Sequence, residues 1–241
     1  MADNLEQFSL GRGATSAEID EGLRAHMLKV YNYMASGVLL TGIVALLFGN
    51  AMVGNPQLAQ TLFGGPLHFV FMFAPFIMVL VMSFGLNRLS PFALQVCYWT
   101  FATLMGVSLS WITLVYTGTS IAKVFFITAA TFGSLSLYGY TTKKSLSGWG
   151  SFLFMGVIGI IIASIVNIFL QSAMMEFVIS VIGVLVFAGL TAYDTQKIKQ
   201  MYFEGYGSEA MSKLSIMGAL NLYLDFINMF LFLLRLFGSR E

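Results

Sequence analysis

The sequence predicts an all-α integral membrane protein with seven transmembrane helices, and three observations support this fold class. Hydrophobic residues make up 58% of the 241 positions and charged residues only 10%, whereas soluble domains carry roughly 25% charged residues. The apolar residues fall into seven stretches, each close to the roughly 20 residues that cross a bilayer. Lys and Arg concentrate in alternate connecting segments, as they do in multi-pass proteins. The net charge of +1 gives no sign of a nucleic-acid partner, so the partner that composition does predict is the lipid bilayer.

The predicted elements follow one another with short connections. Residues 1–29 are predicted to form a polar, partly disordered cytoplasmic arm, 30–237 the membrane domain and 238–241 a short tail. Each span must be a helix, because backbone groups in lipid need partners within their own segment. The longest connection between spans, 50–66, is too short for a soluble catalytic domain, so we expect no enzyme. The seven predicted spans are 30–49, 67–87, 92–114, 121–141, 150–170, 177–197 and 214–236.

The orientation follows from the positive-inside rule. With the N-terminus in the cytoplasm, the connections at 50–66 and 171–176, which contain no Lys or Arg, lie outside. We therefore predict a cytoplasmic N-terminus and an outside C-terminus. The basic residues that this topology places inside are Arg12, Arg24, Lys29, Arg88, Lys143, Lys144, Lys197, Lys199 and Lys213, and those outside are Lys123, Arg235 and Arg240.

Three of the ionisable residues in or next to the predicted spans stand out, because a charge at the centre of a span costs about 2.5–3.5 kcal/mol on insertion scales. Asp194 lies near the inner end of the sixth span, Asp225 near the middle of the seventh, and Arg88 at the inner end of the second. Asn221, Asp225 and Asn228 are spaced i, i+4 and i+7, which places them on one helix face. This polar face on an otherwise apolar helix predicts that the last helix lies centrally in the bundle.

The depths of the two aspartates decide whether they can meet. At about 1.5 Å per residue, Asp225 is expected roughly 8 Å deeper in the membrane than Asp194, a mismatch that helix tilt could absorb. Two carboxyl groups that meet would share a proton. Arg88, at nearly the level of Asp194, would stabilise an ionised carboxylate.

This constellation is typical of a pH-sensitive latch. A protonated, hydrogen-bonded pair would close the inner side, and deprotonation would drive the two carboxylates apart. Ionised Asp194 and Asp225 would also suit transient calcium binding, because calcium prefers oxygen ligands. The structural alternative is that each aspartate is simply hydrogen-bonded to a neighbouring Asn, Thr or Tyr.

Four segments around these residues resemble the bacterial members of the Bax inhibitor-1 family, also called the transmembrane Bax-inhibitor-motif family. The resemblance runs from about residue 25 to the C-terminus, and the two segments that contain Asp194 and Asp225 are its most specific part. The four segments are Tyr116–Ile121, Ser136–Lys143, Gly189–Gln196 and Leu222–Asn228.

The resemblance implies a seven-helix bundle around a central last helix, located in the bacterial inner membrane. It further implies a pH-sensitive calcium leak, with Asp194 and Asp225 as the pH sensor and Arg88 as a latch, and with calcium as the permeant ion and no cofactor. It also implies an alternative function, because bacterial relatives include non-transporting regulators that bind a membrane-anchored ATP-dependent protease.

Two other classes fit the sequence less well. An intramembrane aspartyl protease also needs two aspartates that share a proton. However, Asp225 follows Tyr223-Leu224 and not the Gly-x-Gly of those enzymes, and no Pro-Ala-Leu motif follows it. A secondary transporter would be expected to show broken helices or an internal repeat, and neither is evident.

Overall fold

A computed structural model describes residues 16–202 and 207–240, and these residues form nine α-helices, one short 3₁₀ helix and no strand. Seven helical segments are long and apolar enough to cross a membrane, which confirms the predicted fold class and the number of spans. The helices are α1 (Ser16–Gly54), α2 (Pro56–Phe63), α3 (Leu67–Gly85), α4 (Pro91–Leu109), α5 (Ile112–Val115), α6 (Gly118–Thr141), α7 (Gly150–Leu170), α8 (Ala173–Met201) and α9 (Ser208–Phe237), with the 3₁₀ helix at Ser147–Trp149.

The first helix extends well beyond its predicted span. Residues 16–29, assigned to a partly disordered arm, continue into the membrane as one uninterrupted helix, α1. The apolar pattern marks only the part of a helix that meets lipid, so a polar extension carries no hydropathy signal. Residues 1–15 of the predicted arm lie outside the described residues.

The predicted 50–66 connection contains a helix of its own, α2. The side chain of Asn55 accepts hydrogen bonds from the backbone N–H groups of Gln57 (3.1 Å) and Leu58 (3.4 Å), and Pro56 occupies the first helical position. An Asn cap followed by Pro is a recognised start signal. This connection is therefore an ordered turn of helix against α1 and α3.

The last helix is the axis of the bundle, as predicted. In its membrane-spanning stretch, 72% of α9 is buried inside the protein, against 33% or less for each of the other six. It packs against α8, α1, α6 and α4, whereas α3 lies outside α4 and α7 lies outside α8. Leu222, Tyr223 and Met229 on α9 have no exposed surface at all. Most residues of the α9 span therefore pack against other helices and not against lipid.

The two ends of the bundle are distinct. The proximal end holds the start of α1 and the connection between α8 and α9, and the distal end holds the chain terminus. At the distal end, the Thr117 N–H donates to the carbonyl of Ser239 (3.1 Å), and the Ser239 N–H donates to Ser120 Oγ (2.9 Å). The predicted short tail thus ties the end of α9 to the start of α6. In the predicted topology the proximal end faces the cytoplasm.

Candidate functional site: an aspartate pair between α8 and α9

Asp225 lies on the central helix and is buried, with 4% of its surface exposed. Its position follows from the register of α9, where Leu222, Phe226 and Met229 are also buried and most of the helix surface is covered by neighbouring helices. Its Oδ2 atom accepts no hydrogen bond from the part of the chain that the structure describes. A buried acceptor without a donor is costly, so the surroundings of Asp225 matter.

The neighbouring residue that could supply a hydrogen-bond donor to Asp225 is Asp194 on α8. α8 and α9 run antiparallel and in extensive contact, and Gly218 of α9 lies against Ile198, so closely that an added Cβ would come within 3.2 Å of the Ile198 side chain. Four residues along each helix from that contact, Asp194 is level with Leu222. The backbone of Asp225 is therefore about 4.5 Å farther toward the distal end than that of Asp194.

The direction of the side chains closes this gap. Each Cα–Cβ bond in a helix leans toward the N-terminus of that helix. On the antiparallel pair, Asp194 therefore leans toward the distal end and Asp225 toward the proximal end, so each leans toward the other. The two carboxyl groups come within hydrogen-bond reach. The sequence alone left open whether the two carboxyl groups meet, and in the structure they do.

The chemistry of this arrangement depends on one proton. A carboxylic acid donates through its O–H, while a carboxylate only accepts. A single proton on the pair lets one carboxyl donate to the other and supplies the donor that Asp225 otherwise lacks. With no proton, two negative charges face each other in a desolvated place, which is unfavourable on both counts. The protonation state of the pair therefore determines whether α8 and α9 attract or repel at this point.

The structure does not bring Arg88 to the aspartate pair, and the predicted latch is absent from this arrangement. Arg88 follows α3 in an exposed turn, and within the described residues it makes no ion pair closer than 4.0 Å. The reason is topological, because α3 packs on α4 and α2 at the periphery while the pair lies between α8 and α9.

Lys197, one turn away on the same helix, is the cation whose positive charge interacts with the Asp194 carboxyl group. Its Nζ lies 5.9 Å from the centroid of the Tyr193 ring. In the sequence, Lys197 counts only among the basic residues that predict the orientation of the chain. The i, i+3 spacing from Asp194 is the signal that could have identified it.

The predicted polar face of α9 is present but does not hold the pair. Asn221 and Asn228 are both partly exposed, whereas Asp225 is buried. The Asn228 amide donates to the carbonyl of Leu224 in its own helix (2.8 Å). Neither asparagine forms a side-chain hydrogen bond with Asp225 in the described chain, so their predicted supporting role is not seen.

A chain of hydroxyl groups runs beside the pair. Tyr31 of α1 and Ser136 of α6 share a hydrogen bond (2.6 Å), and Ser136 shares another with Thr195 of α8 (2.9 Å). Thr195 directly follows Asp194. One turn from Ser136, Gly139 of α6 lies against the backbone of α8. The hydroxyl chain and the glycine contact thus hold α6 and α8 together at the level of Asp194, which the sequence analysis did not foresee.

The described residues contain no cluster of three or more His, Cys, Asp or Glu side chains that could hold a metal ion. Calcium takes about 6–8 oxygen ligands, and two carboxyl groups supply at most four. Any calcium ion at Asp194 and Asp225 would complete its coordination shell with water or backbone oxygens. Such a site is suited to transient binding of a permeant ion and not to a tightly held one.

The sequence is similar to those of several bacterial proteins. Residues 23–241 match the family described as Inhibitor of apoptosis-promoting Bax1. The chain is 50% identical over 222 residues to an uncharacterized protein of Rickettsia prowazekii, covering 92% of each chain. It is 44% identical over 223 residues to the inner membrane protein YbhL of Escherichia coli K12, covering 91% of this chain and 94% of YbhL.

The similarity extends to a more distant bacterium. A membrane protein of Streptococcus pyogenes is 36% identical over 223 residues, which cover 92% of this chain and 96% of that one. The family match, residues 23–241, includes every predicted span and is not confined to one short motif. On this evidence the chain belongs to the Bax inhibitor-1 family and is a multi-pass protein of the inner membrane.

Proposed function

We propose that the protein is a pH-sensitive calcium leak channel of the inner membrane, gated by Asp194 and Asp225. The observation that carries this proposal is the meeting of the two carboxyl groups between α8 and the buried central helix α9. Ionisable residues inside spans are costly and are typical of ion pathways and proton relays. Two carboxyl groups that meet in this way can share a proton and are suited to respond to pH.

The direction of gating follows from the chemistry of the pair. A shared proton joins the two carboxyl groups and holds α8 against α9, which is the closed arrangement. Loss of that proton leaves two like charges in a desolvated site, so the helices separate and water can enter. The separated carboxylates then attract a divalent cation. Calcium flux is therefore expected to rise with pH across the near-neutral range.

Lys197 takes the place that the sequence analysis gave to Arg88. It acts on Asp194 and its side chain is exposed at the proximal end, so salt screens it partly. We propose that Lys197 favours the ionised form of Asp194 and thereby sets the pH at which the pair opens.

Calcium flux into proteoliposomes tests the proposal. The wild-type protein, Asp194→Asn and Asp225→Asn are compared over a range of pH with a calcium-sensitive dye. Each Asn variant lacks one ionisable carboxyl and is expected to lose the pH dependence. Glu209→Gln is the matched control, because Glu209 is an exposed acid that pairs with Lys213 one turn away (2.9 Å), and it should retain the wild-type profile.

Flux that is the same in the wild type and in both Asn variants would overturn the sensor role. If the purified protein shows no flux at any pH, the alternative becomes the better account, namely a regulator that binds a membrane-anchored protease. Capture of such a protease by the full chain, lost when residues 1–24 are deleted, would then identify that function.

A further inference from the structure

We propose that the protein binds an anionic phospholipid of the surrounding bilayer in a crevice between α1 and α6 at the proximal end. The crevice has a volume of about 510 Å³, within the range of roughly 300–1,000 Å³ that is typical of small-molecule sites. Neither aspartate lines this crevice, although Tyr31 and Ser136 of the hydroxyl chain beside the pair do, and the inference does not depend on calcium transport.

The walls of the crevice suit acyl chains. α1 contributes Met27, Leu28 and Met34, and α6 contributes Phe132 and Leu137. The crevice opens sideways toward lipid, because Leu28 and Leu137 are 52% and 63% exposed. Its apolar walls leave an acyl chain as the natural occupant in a bilayer, where an empty apolar gap would forfeit packing contacts.

The deep end of the crevice is defined by one rigid contact. The ring of Phe132 packs edge-on against Phe226 of the central helix, with ring centroids 5.6 Å apart. Glycine at position 133 leaves the wall open beside it, since an added Cβ there would meet no atom within 4 Å. The space at Gly133 is therefore available to a ligand and is not filled by the protein.

Two basic side chains lie at the mouth of the crevice, one lining it and one beside its Tyr140. Arg24 lines it directly, and within the described chain it makes no ion pair closer than 4.0 Å, although Asp20 and Glu21 lie one turn away on α1. Lys199 of α8 donates to the carbonyl of Tyr140 (2.8 Å), and its Nζ lies 4.9 Å from the centroid of the Tyr140 ring. An ammonium group has three donors, so Lys199 retains donors for a phosphate.

The charge pattern selects the occupant. Two cations above an apolar crevice complement a molecule with an anionic head and apolar chains. Basic pockets between transmembrane helices on the cytoplasmic side are suited to anionic lipid headgroups, and the predicted topology places Arg24 and Lys199 on that side. A zwitterionic lipid would also fill the crevice, but its headgroup carries no net charge and would be attracted less strongly to the two cations.

Native mass spectrometry of the full-length protein, released from nanodiscs, tests the proposal. The nanodiscs contain equal amounts of phosphatidylglycerol and phosphatidylcholine, and the retained lipid is counted by mass. One phosphatidylglycerol is expected to remain preferentially on the wild-type protein. Gly133→Trp fills the crevice and is expected to abolish this retention. Gly159→Trp is the matched control, because Gly159 on α7 is exposed and equally free of neighbours.

The headgroup is tested by removing the charges at the mouth. Arg24→Gln and the double variant R24Q/K199Q are expected to lower the preference for phosphatidylglycerol by about fivefold per charge. Lys123→Gln removes an exposed cation at the distal end and should leave the preference unchanged. Gel filtration of each variant confirms that it folds.

Three results would overturn the proposal. Equal lipid retention by Gly133→Trp and Gly159→Trp would place the lipid elsewhere. Retention without headgroup preference, unchanged in R24Q/K199Q, would show that the crevice takes any acyl chain. A doubled protein mass that Gly133→Trp reduces to a single mass would show that a second copy of the chain occupies the crevice.

Discussion

Single residues decide how closely the helices approach beside the aspartate pair. Gly139 of α6 faces the backbone of α8, and a Cβ at this position would lie 2.3 Å from the carbonyl oxygen of Ala192. A backbone atom cannot move aside as a flexible side chain can. The contact lies two residues from Asp194, so the spacing of α6 and α8 and the position of the carboxyl are linked.

The substitution Gly139→Ala is therefore expected to destabilise the protein, although Ala favours helices more than Gly does. Overpacking of this kind costs about 1–3 kcal/mol. Thermal unfolding in detergent measures the effect. The control, Gly159→Ala, adds the same methyl group where no atom lies within 4 Å and should be neutral or stabilising. Equal unfolding temperatures for the two variants would contradict the close contact.

The aspartate pair also makes a prediction about stability and pH. In the wild type, raising the pH removes the shared proton and leaves two like charges, one buried and one half-buried, so the free energy of unfolding should fall. Asp225→Asn removes one of these charges, and its amide can donate to Asp194. Its stability should therefore fall less steeply with pH, as followed by unfolding in detergent. Parallel pH profiles for the two proteins would argue that the carboxyl groups do not interact.

At this scale the sequence identified candidate residues but not their contacts. Asp194 and Asp225 stood out because charges are rare in apolar spans. Whether they meet depends on the stagger of α8 and α9 and on the lean of both side chains, which spacing within each helix does not contain. Arg88 and Lys197 illustrate the same point. Both lie at the predicted inner boundary, and only the packing order of the helices shows which of them is close to the aspartate pair.

At the scale of elements, the hydropathy pattern predicted every span but not the helices that cross no lipid. The 50–66 connection carried the start signal of α2 in Asn55-Pro56, and local chemistry alone could have identified it. The break between α4 and α5 had no such signal, and it interrupts a stretch predicted as one span. At this break Ser110 is fully buried and its hydroxyl donates to the carbonyl of Val107 (2.7 Å).

The docked tail gives a prediction at the same scale. Removing residues 238–241 eliminates the two hydrogen bonds that join Ser239 to Thr117 and Ser120. At about 0.5–1.5 kcal/mol each, their loss should lower stability by about 1–3 kcal/mol. Hydrogen exchange at the Thr117 amide, which loses its acceptor, should become faster.

Arg240→Gln is the control for the truncation. Arg240 reaches Glu176 at 3.5 Å with 58% of its side chain exposed, and exposed pairs contribute less than about 1 kcal/mol. If Arg240→Gln destabilises as much as the truncation does, the ion pair and not the backbone contacts holds the tail.

At the scale of the whole molecule, seven spans place the termini on opposite sides, and the basic residues predict which side is which. Single-cysteine variants in a Cys97→Ser background test this. Gly148 at the proximal end and Gly118 at the distal end both have open space around them. A membrane-impermeant thiol reagent should label Gly118→Cys on intact spheroplasts and Gly148→Cys only after lysis. The reverse pattern would invert the predicted topology and place the phospholipid site in the outer leaflet.

The central position of α9 has a consequence for how the protein is made. Chains emerge from the ribosome N-terminus first, and transmembrane helices insert before they associate. The axis of this bundle is therefore synthesised after the helices that surround it. Before α9 inserts, lipid or the insertion machinery must cover the helix faces that later contact it, which belong to α1, α4, α6 and α8. We therefore expect the surrounding helices to pack together only after α9 has inserted between them.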